Sequence, residues 1–192
     1  MCTLQVLLLA AGHSRRFGSN KLLQHIEAGV SVLDRSYHAA SALHASPLLV
    51  ISDDPALRAH CEERNYPYLI NAQAEQGMAS SIVCGVNATA GADGWAICLA
   101  DMPCIRHRTM QQLREAWRGE QIIVPRYQQQ GGHPVIFPRR YFEQLIFLQG
   151  DQGARRIVQE SREVSYLDVD DPGILLDIDT QTDLLHCMHI LS

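Results

Sequence analysis

Apolar positions along this chain fall into short continuous runs, separated by stretches in which apolar residues recur at helical spacing. Leu4 to Ala10 is unbroken and of strand length, as expected of a strand buried on both faces. Leu48 to Ile51 and Trp95 to Ala100 read the same way, and Tyr68 to Ile70 is a weaker strand. Helical patterns run from Val32 to His44 with Ser31 as N-cap, from Pro55 to about Glu63, from Met78 to Asn87 and from Thr109 to Trp117. Farther on, strand-like Ile122 to Val124 and Pro134 to Phe137 flank a loop over Tyr127 to Gly132. Helices over Pro138 to Leu148 and Gln152 to Glu163 precede strands at Val164 to Val169 and Ile174 to Leu176. A last helix starts near Thr180, with Asp183 placed for a capping box. Strands alternating with helices predict an α/β domain around a mostly parallel sheet.

Composition narrows the function more than the fold. The 192 residues hold no linker, repeat or low-complexity tract, so one domain over 1–192 is expected. A 46% hydrophobic content excludes disorder as the main state. The net charge of −5 argues against a nucleic-acid binder, which needs a basic face. The longest apolar run, Val6 to Ala11, falls far short of the roughly 20 residues of a membrane span. The N-terminus lacks the basic flank and cleavage site of a signal peptide, so a cytoplasmic protein is expected. The six cysteines, Cys2, Cys61, Cys84, Cys98, Cys104 and Cys187, contain no C-x-x-C pair and read as small buried hydrophobes. His38 with His44, and His186 with His189, lack a third nearby ligand and read as packing or surface residues.

In a sheet of this kind ligands bind outside the carboxyl ends of the strands. That rule selects the loop after Ala10 and the loop after Ala100. The first reads Ala11-Gly12-His13-Ser14-Arg15-Arg16-Phe17-Gly18-Ser19-Asn20-Lys21. Its small residues let a ligand approach the backbone, and its cations suit phosphate oxygens. It is neither a Walker A loop nor a G-x-G-x-x-G fingerprint, because five residues separate Gly12 from Gly18 and Lys21 does not directly follow a glycine. Lys21 is the sole lysine beside fifteen arginines, which singles out a compact ammonium at this place. No G-x-S-x-G elbow is present, which disfavours a hydrolase.

The segment L-A-A-G-x-S-x-R-x-G-x-x-K-L-L, from Leu9 to Leu23, resembles the signature of nucleotidyltransferases similar to molybdenum cofactor cytidylyltransferase, the MobA-like NTP transferases; Phe17 replaces their usual methionine. Further segments match in the same order: Gly77-Met78-Ala79-Ser80-Ser81, Leu99-Ala100-Asp101-Met102-Pro103, Gly132-His133-Pro134-Val135, Gly150-Asp151-Gln152-Gly153-Ala154-Arg155 and Asp177-Ile178-Asp179-Thr180. The resemblance implies a three-layer α/β/α sandwich with a seven- or eight-stranded, mainly parallel, Rossmann-like sheet.

It also implies a reaction. CMP would pass from CTP to the terminal phosphate of molybdopterin, or of its molybdenum-loaded form, with release of pyrophosphate. Arg16 and Lys21 would neutralise the departing phosphates, and Asp101 would act through Mg²⁺, with Asp179 as a second metal ligand. Ala10, Ala11 and Gly12 would hold base and ribose, helped by Gly77, Ser80 and Ser81, although the two serines would serve equally as helix caps. His133 and Asp151 would form the acceptor side. A molybdoenzyme apoprotein or its maturation chaperone is an implied partner. Guanylyl transfer, transfer to a sugar or alcohol phosphate, and a carrier that binds molybdopterin without turnover are the alternatives.

Overall fold

The structure, a computed structural model, describes residues 3–12, 20–43, 46–151 and 153–191. Its core strand is β1 (Leu4–Ala10). Along it Leu4, Val6, Leu8 and Ala10 enter one hydrophobic core and Leu7 and Leu9 enter another. The two-residue period of a strand thus places apolar side chains on both faces, which is why the run is unbroken. One core is closed by α1 (Val32–Ala40), α2 (Pro55–Arg64), α4 (His107–Ala116) and α7 (Gln181–Leu191). The other is closed by α3 (Met78–Ala88), α5 (Phe142–Ile146) and α6 (Arg155–Glu160). This is the expected three-layer arrangement.

The remaining strands are β2 (His25–Glu27), β3 (Val30–Ser31), β4 (Leu48–Ile51), β5 (Tyr68–Ile70), β6 (Gly94–Leu99), β7 (Ile122–Tyr127), β8 (Gln130–Gly131), β9 (Val135–Pro138) and β10 (Val164–Asp168). Eight strands form the main sheet in the order β10-β7-β9-β6-β1-β4-β5, with β8 on β7; β2 and β3 form a separate hairpin. The neighbours of β1 and of β4 are parallel to them, as β10 is to β7, whereas β9 runs against β6 and β7. The chain leaves β1 towards β4 and β5 and then crosses back to β6 on the other side of β1. That reversal opens a crevice at the carboxyl ends of β1 and β6, where Leu9 pairs with Leu99. Among the described residues no helix is long and apolar enough to cross a membrane.

Several features depart from the sequence reading, among them the short strand β8 within the expected loop Tyr127 to Gly132. The hairpin β2–β3 was not anticipated, because His25-Ile26-Glu27 buries one side chain and carries no long apolar run. Ile174 to Leu176 is not a strand: Pro172–Leu175 is a 3-10 turn, with Asp171 Oδ1 accepting from Gly173 N at 3.0 Å. Asp171 Oδ2 also accepts from Arg106 N at 2.8 Å and Thr109 Oγ1 at 2.6 Å, so one buried carboxylate caps both this turn and the start of α4. Finally, Cys104 and Cys187 are joined in a disulfide across 83 residues, whereas Cys61, Cys84 and Cys98 are free.

Candidate active site

Asp101 is held by its backbone. Ala100 N donates to Leu9 O at 3.0 Å, continuing the β1–β6 ladder one residue past the strand. Ser36 Oγ, buried on α1, donates to Ala100 O at 2.8 Å, and Ile178 N donates to Asp101 O at 2.9 Å. Three segments of the chain therefore fix the turn from which the carboxylate projects.

Lys21 opens a 3-10 turn, Lys21–Leu23, capped by Asn20, whose side chain accepts from Leu22 N at 3.2 Å and donates to Asp54 at 2.8 Å. The Lys21 side chain is largely buried, with its Nζ 2.8 Å from Asp101 Oδ2 and 2.9 Å from Asp179 Oδ1. Burial opposes the ammonium charge, but the carboxylates of Asp101 and Asp179 outweigh it and raise the Lys21 pKa above its ordinary value. Asp179 is placed by the capping box of α7: Asp183 Oδ2 accepts from Asp179 N at 3.1 Å, Thr180 N at 2.7 Å and Thr180 Oγ1 at 2.8 Å.

The cavity beside this cluster measures about 300 Å³. It is lined by Ala10, Ala11 and Gly12 after β1, by Lys21 and Asp101, and by Glu75, Gly77, Met78, Ser81 and Asp151 around the start of α3. Gly77 starts α3 with φ +95°, a conformation that favours glycine. A Cβ there would lie 2.0 Å from Asp151 Oδ1 and 2.9 Å from Gly150 O, so the Gly150-Asp151 turn packs directly on the glycine. Ala79 N donates to Gly150 O at 3.1 Å and completes that junction.

The predicted residues are thus largely brought together, with distinctions. Ser81 lines the cavity, and Ser80 does not. Asn71 Nδ2 donates to Ser80 Oγ at 2.8 Å and to Ser81 Oγ at 3.0 Å, and Ser80 Oγ donates to Gly77 O at 2.8 Å. These bonds tie the first turn of α3 to Asn71, but neither serine caps the helix: its N-cap is Gly77, with no side-chain cap. His133 does not line the cavity. It sits just before β9, with Nδ1 buried and without a hydrogen-bond partner. Burial pushes the His133 pKa down, against the pull of the Ile97 backbone and of the Asp101 and Asp177 charges. Arg16 lies outside the described residues.

Sequence reasoning missed Asn71, Glu75 and Asp177. Asp177 belongs to the same D-I-D-T segment as Asp179, and burial together with the charges of Asp101 and Asp179 pushes its pKa up. Among the described residues no three His, Cys, Asp or Glu side chains form a complete metal cage. The donor set nevertheless suits a hard divalent ion, because Mg²⁺ takes one or two carboxylates and completes its shell with water and phosphate. Asp101 and Asp179 supply such a pair, both within hydrogen-bond reach of one point.

Comparison with known proteins identifies the family and the fold. The purine catabolism protein PucB of Bacillus subtilis is 30% identical over 189 residues, spanning 91% of this chain and 90% of that protein. The crystal structure of Rv0371c from Mycobacterium tuberculosis superposes with a TM-score of 0.81 at 26% identity, covering 98% of this chain and 99% of that one. A structure of the same mycobacterial protein in complex with manganese gives 0.81 at 24% identity, over 97% and 98% of the two chains. Molybdopterin-guanine dinucleotide biosynthesis protein A from Archaeoglobus fulgidus shares the fold, with a TM-score of 0.67 at 16% identity over 97% and 98%. The model of the MobA-like NTP transferase domain matches residues 6–164, a span that begins in β1 and contains the first loop, Lys21, the α3 junction and Asp101. With a crevice built from those segments at the switch of the sheet, the chain belongs to the MobA-like NTP transferases, a nucleotidyltransferase family.

Proposed function

We propose that this protein transfers CMP from CTP to the terminal phosphate of molybdopterin, or of its molybdenum-bearing form, and releases pyrophosphate. The observation that carries the reading is Lys21 Nζ between Asp101 and Asp179 beside a cavity lined by Ala10, Ala11 and Gly12. Nucleotidyl transfer needs no protein nucleophile. An acceptor phosphate oxygen bonds to the α-phosphorus of CTP, the bond from that phosphorus to the bridging oxygen breaks, and pyrophosphate carries away the charge. Such chemistry rests on positioning and charge neutralisation.

Each residue has a part that follows from its place. Lys21 holds its proton firmly, so its ammonium is available to the departing phosphates. Arg16, which lies outside the described residues, would share that role by the resemblance of the first loop. Asp101 and Asp179 would hold a divalent ion, Mg²⁺ in this reading, and that ion would draw charge from the α-phosphate and orient its oxygens. The manganese complex of the mycobacterial neighbour supports a divalent ion in this fold. Ala10, Ala11 and Gly12 face base and ribose through their backbone, with Gly77 and Ser81 on the α3 side of the cavity and Ser80 fixing the turn between them. Asp151, packed on Gly77, and His133, outside the cavity lining but near Asp101 and Asp177, would border the acceptor. The resemblance of the first loop to cytidylyltransferases, and the shared fold of the molybdopterin-guanine dinucleotide protein, support nucleotide and acceptor respectively.

The test is pyrophosphate release with each of the four NTPs, with and without molybdopterin. Release that requires both CTP and molybdopterin is the expected result. Release with GTP alone among the nucleotides would make the protein a guanylyltransferase. Turnover with a sugar or alcohol phosphate instead of the pterin would move the acceptor. Tight pterin binding without release under any condition would make it a carrier.

A further inference from the structure

The disulfide lies where it can control the carboxylate pair. Cys104 is three residues beyond Asp101, on the turn that follows β6. Cys187 lies on α7, one helical turn beyond Asp183, whose carboxylate holds Asp179 in place. The bond therefore joins the segment that positions Asp101 to the helix that positions Asp179, with their Cα atoms 6.2 Å apart. We propose that Cys104–Cys187 is a reversible redox tether that sets the spacing of Asp101 and Asp179 and makes metal and nucleotide binding depend on thiol state. The proposal rests on the reading of Lys21, Asp101 and Asp179 as the metal and phosphate corner.

The anchoring of α7 gives the bond its leverage. Along this helix only Leu184 and Cys187 are buried among the described residues, and Leu185, Met188 and Ile190 are exposed. A helix with so small a buried face draws little stability from packing, so a covalent link supplies much of its hold. Without the link, the turn of Asp101 keeps the Ala100 bonds to Leu9 and Ser36 and the bond from Ile178 N to Asp101 O, whereas the N–H of Asp179 itself is held only through Asp183 on the loosened helix. The change therefore falls on one carboxylate of the pair. Both cysteines are buried at 3% exposure, so exchange requires α7 to lift, which its small footprint permits. Of the other described cysteines, Cys98 is wholly enclosed with its thiol pushed up by burial, Cys61 is pushed up to about 11 by burial and the Asp34 charge, and the half-buried Cys84 is also pushed up by burial, so all three are poorer in thiolate than an ordinary cysteine. In reducing compartments disulfides are mostly transient and redox-sensing, which is the behaviour proposed.

The reaction balances with a disulfide of the glutathione class as oxidant. Two protein thiols and one glutathione disulfide give the Cys104–Cys187 bond and two glutathione thiols. Two electrons pass to the glutathione sulfurs, and the two thiol protons end on them.

The full-length protein is equilibrated in reduced and oxidised glutathione buffers. Thiols are trapped and mapped by mass spectrometry, and Mn²⁺ and CTP affinities are read by calorimetry in each state. We expect Cys104 and Cys187 to be protected together in the oxidised buffer, and the reduced protein to bind Mn²⁺ at least about fivefold more weakly, within the usual range of coupling between sites. The variant Cys104→Ser/Cys187→Ser should show the weaker affinity in both buffers. If it fails to fold, the reduced parent serves as the unlinked form. Cys104 and Cys187 still open to trapping after oxidation, equal Mn²⁺ affinity in both states, or a double variant as redox-sensitive as the parent would each overturn the tether. Absence of CTP binding in both states, with the Mn²⁺ difference intact, would refute the cytidylyl reading and leave the tether standing.

Discussion

Lys21 Nζ stands 2.8 Å from Asp101 Oδ2 and 2.9 Å from Asp179 Oδ1, so one cation joins two carboxylates separated by 78 residues of sequence. The ammonium offsets the repulsion that would otherwise separate the two acids at the carboxyl end of the sheet. In the proposed function a triphosphate would bring its own negative charge to the same place, and a divalent ion with it. The cluster can therefore exchange its internal pairing for contacts to a ligand at small electrostatic cost.

Removing the Asp101 carboxylate should abolish chemistry while sparing the fold. Asp101→Asn keeps the size of the side chain, and the backbone bonds to Leu9, Ser36 and Ile178 do not depend on the charge. We expect a rate loss of about 10²–10⁴, with a far-UV spectrum and Tm near those of the parent. Pyrophosphate release measured with saturating nucleotide and Mg²⁺ gives the answer, and near-normal turnover would remove Asp101 from the metal site.

Lys21→Ala should weaken triphosphate binding far more than monophosphate binding. Lys21→Arg should also be impaired, because the planar guanidinium cannot reach both Asp101 and Asp179 from the confined position of a compact ammonium. Calorimetry with CTP and CMP separates the contributions. Equal affinities of mutant and parent for both nucleotides would show that Lys21 touches neither the β- nor the γ-phosphate.

Gly77→Ala tests the junction of α3 with the Gly150-Asp151 turn. The new methyl would meet Asp151 Oδ1 at 2.0 Å in a backbone conformation that alanine rarely adopts. A stability loss of about 1–3 kcal/mol should accompany weaker ligand binding on that side of the cavity. Urea denaturation gives the first quantity and calorimetry the second. A variant with parental stability would mean that Gly77 relaxes easily and that Asp151 is not held by it.

Much of this site was legible in sequence because its residues sit directly after strands. β1, β4 and β5 are bounded where the apolar runs are, and Ala10-Gly12 and Asp101 follow two such runs. What escaped depends on distant partners. Ile174 to Leu176 has the composition of a strand, but Gly173 lies against the Cys104 carbonyl and Asp171 is occupied with α4, which curls the segment into a turn. The pairing of Cys104 with Cys187 leaves no local trace, since neither residue has a cysteine at motif spacing. Asn71, which ties Ser80 to Ser81, lies seven residues before Met78 and outside any helical pattern that would have flagged it.

Acid sensitivity should centre on Asp34, away from the cavity. This buried residue closes a capping box with Ser31, pairs with His60 at 2.9 Å and accepts from Tyr66 Oη at 3.1 Å, with Arg64 at 3.5 Å. Burial alone would raise its pKa, but the Ser31 and His60 bonds prevail and lower it from 3.8 to about 2. A carboxylate whose folded pKa is depressed contributes stability above its unfolded pKa, and the contribution is lost as pH falls through the folded value. About 2 kcal/mol should therefore disappear between pH 4 and about 2. Urea unfolding of the parent and of Asp34→Asn at pH 6 and pH 3 isolates it: the gap between them should narrow at the lower pH. An unchanged gap would place the acid sensitivity elsewhere.

The choice of base turns on one methyl group. In the cytidylyl reading the end of β1 is Leu9-Ala10-Ala11-Gly12, and Ala11 is buried at 4% exposure in the wall of the cavity. A purine needs more room beside that wall than a pyrimidine, and the Ala11 methyl occupies some of it. Exclusion by one methyl is worth only about 1–3 kcal/mol, so CTP should be preferred over GTP by roughly 10- to 200-fold in kcat/KM. Ala11→Gly should relax that ratio without reversing it, because Glu75, Gly77, Met78 and Ser81 still shape the α3 side. Gly12 follows directly, so a second glycine also frees the backbone, and the variant's Tm must be read alongside its kinetics. The decisive measurement is a competition between equal CTP and GTP with molybdopterin and Mg²⁺, scored by which dinucleotide forms. Mainly cytosine dinucleotide from the parent, with a larger guanine share from Ala11→Gly, is the expected outcome. Mainly guanine dinucleotide from the parent would overturn the base assignment and leave nucleotidyl transfer intact, and an unaltered ratio in the variant would move the selectivity from Ala11 to the α3 side.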